Sequence, residues 1–218
     1  MHIIPALYQI EKCVSVVKED FKNNKRKWEH VESETELAFL ENGRYTMINK
    51  AEGRWKYYKT KSNLKKDQHF MLDAYIDLKR NEDSFGHFGL VWGFDDELEY
   101  FNRFTMSADG KRVLIMHFEK DHREVFHRFQ TRKNSKAIRN RPIRFTIYRI
   151  GEYYHFSING KTIYTAHEYH FARNGSYVGF YVEPGIEISS SFLEIKKIKL
   201  HEVNTHAGLN QLMNDVNF

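Results

Sequence analysis

A chain of 218 residues with 34 basic and 29 acidic side chains, formal charge +5, is long enough for one large core and too evenly charged for composition alone to point to a polyanionic partner. Hydrophobic residues at 41% and aromatics at 15%, through 13 Tyr, 17 Phe and 3 Trp, exclude disorder over most of the chain and suit half-buried pleated surfaces.

Lys12 to Val17 reads as an opening strand, with Cys13 as a small buried residue, and Lys18 to Glu36 as a polar loop carrying Trp28. Asn42 and Gly43 are a turn signal. Arg44 to Lys50 then alternates, with Tyr45 and Met47 on one face and Thr46 and Ile48 on the other. A lysine-rich loop follows. Phe70, Leu72, Ala74, Ile76 and Leu78 share one face while Asp73, Tyr75 and Asp77 share the opposite one, the cleanest period-two pattern in the chain. Phe88, Leu90 and Trp92 repeat it, with Gly89 and Gly93 on the reverse side. Tyr100 to Met106 pairs with Arg112 to Phe118 across Ala108 to Gly110. Ile143, Phe145 and Ile147, then Tyr154, Phe156 and Ile158, then Val178, Phe180 and Val182 form further inward rows, and Asn159 with Gly160 turns the chain into Thr162 to Thr165. Ile186 to Leu200 supplies closing strands with a bulge near Ser189 to Ser191. The pattern predicts an all-β domain over 1–203 and a tail over 204–218 that forms a short helix through Leu209, Leu212, Met213 and Val216 or is disordered.

The chemistry-bearing signals are sparse. A lone cysteine excludes an internal disulfide and a thiolate zinc site. No apolar run reaches the roughly 18 to 20 residues that span a bilayer, and Met1 to Leu7 lacks a basic leader region, so the expectation is a cytoplasmic protein with no membrane association, the alternative being a secreted one whose signal has been removed. The basic runs Lys22 to Lys27 and Arg132 to Arg144 lie between strand-like segments, where cations usually form a solvated rim, and nucleic-acid binding is disfavoured. The acidic loop Asp95 to Glu97 has calcium-compatible residues but reads first as a turn. His167 with His170, and His117 with His122 and His127, lack a ligand set with zinc geometry, so no metal and no cofactor is expected. Serine-nucleophile, phosphate-loop and dinucleotide signatures are absent.

Glu19 to Phe21 with Trp28, Asn42 to Tyr45 with Asn49 and Lys50, the glycine-spaced run Gly86 to Gly93, Tyr153 to Gly160, and Val178 to Val182 before Leu193 to Leu200 together resemble the concanavalin A-like lectin/glucanase superfamily. Within it the chain is similar to bacterial laminin-G-like and keto-disaccharide-hydrolase-like domains over residues 12–200. The resemblance implies a jelly-roll sandwich of two antiparallel sheets, with the ligand on a sheet face or its rim loops. Glucanases of that superfamily carry a Glu-x-Asp-x-x-Glu strand, which this chain lacks. Asp73 and Asp77 share a face but stand four residues apart, roughly 13 Å along a strand, too far for either glycosidase geometry. They read as a solvated outer face.

What remains is a polar and aromatic strand phase: Tyr75, Tyr153, His155, Tyr177 and Tyr181 with Arg103 and Asp73. Aromatic rings stack on the apolar faces of sugars while polar neighbours bond hydroxyls, and the same surface suits a protein partner or plain cross-strand pairing. The expectation is therefore a non-catalytic binding module for a carbohydrate or a protein. If it has a ligand site, the site uses Tyr153, His155 and Tyr181, with Tyr75 and Arg103 nearby. The alternative is a glycosidase-like hydrolase whose carboxylates, among Asp73, Asp77, Glu97, Glu183 and Glu187, meet only in the fold.

Overall fold

The computed structural model describes residues 9–51, 54–65, 68–80, 86–94, 100–119, 122–130, 142–171, 175–184 and 191–206. In chain order the strands are β1 (Gln9–Glu19), β2 (Val31–Glu32), β3 (Glu36–Glu41), β4 (Arg44–Asn49), β5 (Lys56–Lys61), β6 (Phe70–Arg80), β7 (His87–Phe94) and β8 (Tyr100–Ser107). They continue with β9 (Arg112–Glu119), β10 (His122–Gln130), β11 (Ile143–Ile150), β12 (Tyr153–Ile158), β13 (Lys161–His167), β14 (Tyr177–Glu183) and β15 (Ser191–His206). A nine-stranded sheet runs β13-β12-β11-β6-β15-β4-β3-β2, with β1 also paired to β15, and a six-stranded sheet runs β10-β9-β8-β7-β14-β5. Every pairing is antiparallel, and the two sheets make a jelly-roll sandwich.

Period-two alternation accounts for the core. Phe70, Leu72, Ala74 and Ile76 of β6, Phe145 and Ile147 of β11, and Phe156 of β12 meet Phe88, Leu90 and Trp92 of β7, Phe104 of β8 and Val178 and Phe180 of β14 in one buried cluster. Ile158 packs against that cluster partly buried, because it lies at the end of β12 before the turn at Asn159 and Gly160. The polar loop after β1 is anchored in the same core by Phe21 and Trp28. The Trp28 ring lies 5.2 Å from Tyr45 of one sheet and 5.3 Å from Phe180 of the other, so the loop bridges the two layers.

Two expectations are corrected. Lys56 to Lys61 is not loop but the edge strand β5, with Tyr58 and Thr60 buried and Tyr57 and Lys59 half-buried on the other side. Its lysines mask an ordinary alternation, and lysine is a residue that blunts an exposed edge. Asp73 and Asp77 do not form a solvated face either, being only 4% and 2% exposed. Asp73 accepts hydrogen bonds from Arg144 at 2.6 Å and Thr146 at 2.9 Å, and Asp77 is ion-paired with Lys79 at 2.7 Å and Lys196 at 3.6 Å. Cationic side chains, Lys79 from the same strand and Arg144 and Lys196 from its neighbours, lie against these carboxylates and neutralise them.

β15 continues to His206, past the boundary expected at residue 203. Residues 207–218, the Asp95 to Glu97 loop, the bulge near Ser189 and most of the Arg132 to Arg144 run lie outside the described residues.

Candidate functional site

The outer face of the six-stranded sheet is aromatic where a solvent-facing sheet is ordinarily polar. Tyr57 of β5, Phe94 of β7, Phe101 of β8, Phe118 of β9 and Tyr177 and Tyr181 of β14, with Trp55 just ahead of β5, form a second cluster separate from the core. Trp55 stacks on Tyr57 at 5.6 Å and on Tyr181 at 6.0 Å, and Phe101 stacks on Phe94 at 4.9 Å and on Phe118 at 4.8 Å. Phe94 reaches this face through a bulge. The β7–β14 register slips between Val178, opposite Trp92, and Tyr177, opposite Phe94, leaving Gly93 as the extra residue at φ +75°. The slip sends Trp92 into the core and Phe94 outward, a switch that an unbroken strand could not make.

A polar group closes one end of this cluster. The Arg103 guanidinium lies 4.6 Å from the Tyr181 ring centroid and donates to Met116 Sδ at 2.8 and 3.0 Å. Tyr181 donates its hydroxyl to Glu183 at 2.9 Å, and that carboxylate has Arg103 and His87 each at 3.8 Å. Burial pushes the ionisation of Tyr181 well up, Glu183 adds to the shift and Arg103 opposes it, so the phenol stays a hydrogen-bond donor. Trp55, Phe101, Arg103, Met116, Phe118, Tyr181 and Glu183 enclose a cavity of about 40 Å³, room for water but not for a sugar ring.

The larger opening lies on the other side of Trp55. A cleft of about 610 Å³ along β5 is lined by Glu29, Glu36, Arg54, Trp55, Lys56, Tyr57, Tyr58 and Lys59. Lys56 pairs with Glu36 at 2.7 Å. Partial desolvation raises the pKa of the Glu29 carboxyl from its ordinary value, with Lys59 opposing and Glu36 adding. The half-buried Trp55 and Tyr57 thus form an aromatic wall between two acids and a row of cations.

The five residues expected to share one surface are divided between the sheets. Arg103 and Tyr181 belong to the aromatic face just described. Tyr75, Tyr153 and His155 lie on the nine-stranded sheet, whose outer face points away from it across the core. There Arg144 covers Tyr75 at 5.7 Å, Tyr153 meets the edge of His167 at 5.2 Å, and His155 Nδ1 is 3.0 Å from Thr165 Oγ1. Desolvation lowers the pKa of His155. Tyr181, read as an outward contact residue, is 0% exposed, because Trp55 and Arg103 stack against it. The sequence signal for Trp55 and Tyr57 is the Trp-x-Tyr pair inside the lysine-rich stretch.

Among the carboxylates expected to meet in the fold, Asp73 and Asp77 lie on one sheet and Glu183 on the other, while Glu97 and Glu187 lie outside the described residues. Buried His117 bonds Asn102 at 3.0 Å, and His167 accepts the Tyr169 N–H at 3.3 Å. Among the described residues no group of three His, Cys, Asp or Glu side chains is placed to hold a metal ion, and no helix is long and apolar enough to cross a membrane.

No family model matches the chain, and no curated protein matches its sequence. Solved structures do match in fold. The catalytic domain of an endo-1,3-β-glucanase (laminarinase) from Thermotoga petrophila RKU-1 aligns with a TM-score of 0.63 at 10% identity, over 89% of this chain and 100% of that one. A Bacillus subtilis protein of unknown function with a galectin-like fold gives 0.62 at 12% identity, over 92% and 100%. The CBM2 module of the evolved Dit of Lactobacillus casei BL23 phage J-1 gives 0.58 at 10% identity, over 89% and 98%. At these identities the likeness establishes the fold alone, a jelly-roll sandwich of two antiparallel sheets.

Proposed function

We propose that this protein is a carbohydrate-binding module whose ligand lies in the cleft along β5, stacked on Trp55. The observation that carries the reading is the half-buried Trp55 ring, backed by Tyr57 at 5.6 Å and Tyr181 at 6.0 Å. A ring held from behind is a rigid platform, so a sugar face stacks on it at little entropic cost. Arg54, Lys56, Glu29 and Glu36 around the same wall offer donors and acceptors for hydroxyls. The cleft volume of about 610 Å³ falls in the range of small-ligand sites. Arg103 and Tyr181 enter this proposal as the floor beneath Trp55. Tyr75, Tyr153 and His155 stay outside it. The laminarinase sharing the fold makes β-1,3-glucan the first ligand to test.

Affinity electrophoresis in gels containing laminarin, lichenan or a galactan, comparing the wild type with Trp55→Ala, tests the proposal. Retardation of the wild type by at least one of these glycans, lost in the variant, supports it. Equal retardation of both proteins places the ligand elsewhere.

Hydrolysis is the second reading, favoured by one observation. Two carboxylates line the same cleft, Glu29 with a carboxyl pKa raised by partial desolvation and Glu36 beside Lys56 at 2.7 Å, and glycosidases work with a pair of carboxyl groups. Release of reducing ends from laminarin by the wild type, abolished by Glu29→Gln or Glu36→Gln, would establish it over simple binding.

A further inference from the structure

A third opening, about 930 Å³, adjoins the aromatic cleft and shares Glu29 and Lys59 with it. Its lining brings together Lys18 at the end of β1, Lys25, Arg26 and Lys27 of the following loop, and Lys59 and Lys61 of β5, around Tyr177. Three acids line it as well, and two are already engaged. Buried Glu19 accepts the Phe21 N–H at 2.9 Å, and Asp20 pairs with Lys22 at 3.6 Å. The third, Glu29, sits on the wall shared with the aromatic cleft. Among the described residues, Lys18, Lys25, Lys27 and Lys61 have no carboxylate at ion-pair distance.

The loop that carries Lys25, Arg26 and Lys27 is built rather than loose. Its two ends are buried in the core through Phe21 and Trp28. Asn24 accepts the Trp28 N–H at 2.7 Å and donates to the Trp28 carbonyl at 2.9 Å, which holds Lys27 in the left-handed region at φ +54°. Arg26 donates to the Val16 carbonyl at 2.9 Å, and Thr60 of β5 donates to the Arg26 carbonyl at 2.9 Å, tying the loop to both sheets. Like charges fixed around a cleft repel one another, and an anion placed among them relieves that repulsion without reorganising the backbone.

We propose that this cleft binds the sulfate or carboxylate groups of an acidic polysaccharide whose chain continues from the Trp55 wall. The inference rests on the carbohydrate reading and names the glycan as anionic. Continuity through Glu29 and Lys59 with the wall proposed to stack sugars favours a polysaccharide, and the cationic cleft itself is poor in rings that would stack successive bases. Among the described residues Tyr177 is the one aromatic side chain lining the cleft, and Lys59 covers its ring at 4.3 Å, which takes that ring from a stacked base.

The test uses the full chain, fluorescein-labelled dextran sulfate and polygalacturonate, neutral laminarin and a 20-nucleotide oligothymidylate, each titrated by fluorescence anisotropy or affinity electrophoresis. The variant is Lys25→Gln with Lys27→Gln and Lys61→Gln, all exposed positions. One of the two acidic polysaccharides should bind with an affinity that falls as salt rises, and the triple variant should weaken it on the order of tenfold while its laminarin retardation matches the wild type. Failure of both acidic polysaccharides to bind at low salt, or equal binding by the triple variant, overturns the inference. Tighter binding of the oligothymidylate than of either polysaccharide also overturns it, in favour of nucleic acid. Laminarin retardation that Trp55→Ala abolishes, together with absent polyanion binding, would sink this inference and leave the carbohydrate reading standing.

Discussion

The Arg103 guanidinium lies 4.6 Å over the ring of Tyr181, a tyrosine on the outside of its sheet that is nonetheless fully buried. Tyr181 should therefore behave as a core residue. Tyr181→Ala removes the ring on which Trp55 and Arg103 rest and should cost about 3 to 5 kcal/mol in urea unfolding. Tyr181→Phe keeps the packing and loses only the hydrogen bond to Glu183, for about 1 kcal/mol. Equal costs for the two variants would show that the ring packing contributes nothing.

Trp55 should show the opposite balance. It is half-buried against Tyr57 and Tyr181, so Trp55→Ala should lower ligand affinity by about 1 to 3 kcal/mol while destabilising the fold less than Tyr181→Ala does. The other two tryptophans, Trp28 and Trp92, are 2% and 0% exposed, so a change of tryptophan emission on glycan addition should vanish in Trp55→Ala. A change that persists would locate the ligand away from this wall.

On the other sheet, Arg144→Ala leaves the buried Asp73 carboxylate with the Thr146 hydroxyl at 2.9 Å and without its cation. The Arg144 side chain is 37% exposed, which screens the pair, so the expected loss is about 1 to 3 kcal/mol, below that of a fully buried pair. Asp73→Asn in the Arg144→Ala background should recover part of it, because a neutral amide at that position carries no unpaired charge. Thermal unfolding of the two variants checks the order.

Acid should destabilise the protein in a window set by histidines. His69 accepts the Gly151 N–H through Nε2 at 3.2 Å and must be neutral to do so. Burial, then Arg149, lowers its pKa, with Glu168 opposing, and desolvation also lowers those of His155 and His201. A histidine whose folded pKa is depressed favours the fold fully above the unfolded value of about 6.5, and that contribution is lost as pH falls toward the folded value. The melting temperature should therefore drop below about pH 6.5, and His69→Gln should make the drop shallower. An unchanged slope would remove His69 from the account.

Alkali acts through the buried phenols. Burial, the leading cause, pushes the Tyr154 pKa to about 12 and raises those of Tyr45, Tyr58 and Tyr181 further. An acid with a raised folded pKa stabilises the fold below its unfolded value and loses that contribution as pH rises through the folded one. Melting temperature should fall above about pH 10, with tyrosinate absorbance at that pH appearing with unfolding and not before it.

Where each strand buries its side chains was legible wherever alternation was strict. Phe70 to Ile76, Phe88 to Trp92 and Val178 to Val182 all face inward as their spacing implies, and the hairpin at Asn42 and Gly43 closes β3 onto β4. Legibility failed at β5, where Lys56, Lys59 and Lys61 interrupt a short edge strand and make it resemble a loop. It failed again at Phe94, since the extra residue Gly93 reverses the phase with no mark other than a glycine.

Period-two patterning by itself determined that this chain forms two-faced strands and which residues of each strand enter the core, because side chains alternate with the backbone pleat whatever lies beside them. Only the tertiary structure decided which sheet a strand joins, and with it the site. Tyr153 and Tyr181 have the same outward phase, yet β12 pairs with β11 and β13 while β14 pairs with β5 and β7, so the two rings stand on opposite sides of the sandwich. That choice is made by hydrogen-bonded pairing between segments far apart in the chain, such as Tyr181 opposite Tyr57. The phase of a single strand carries no information about such a partner.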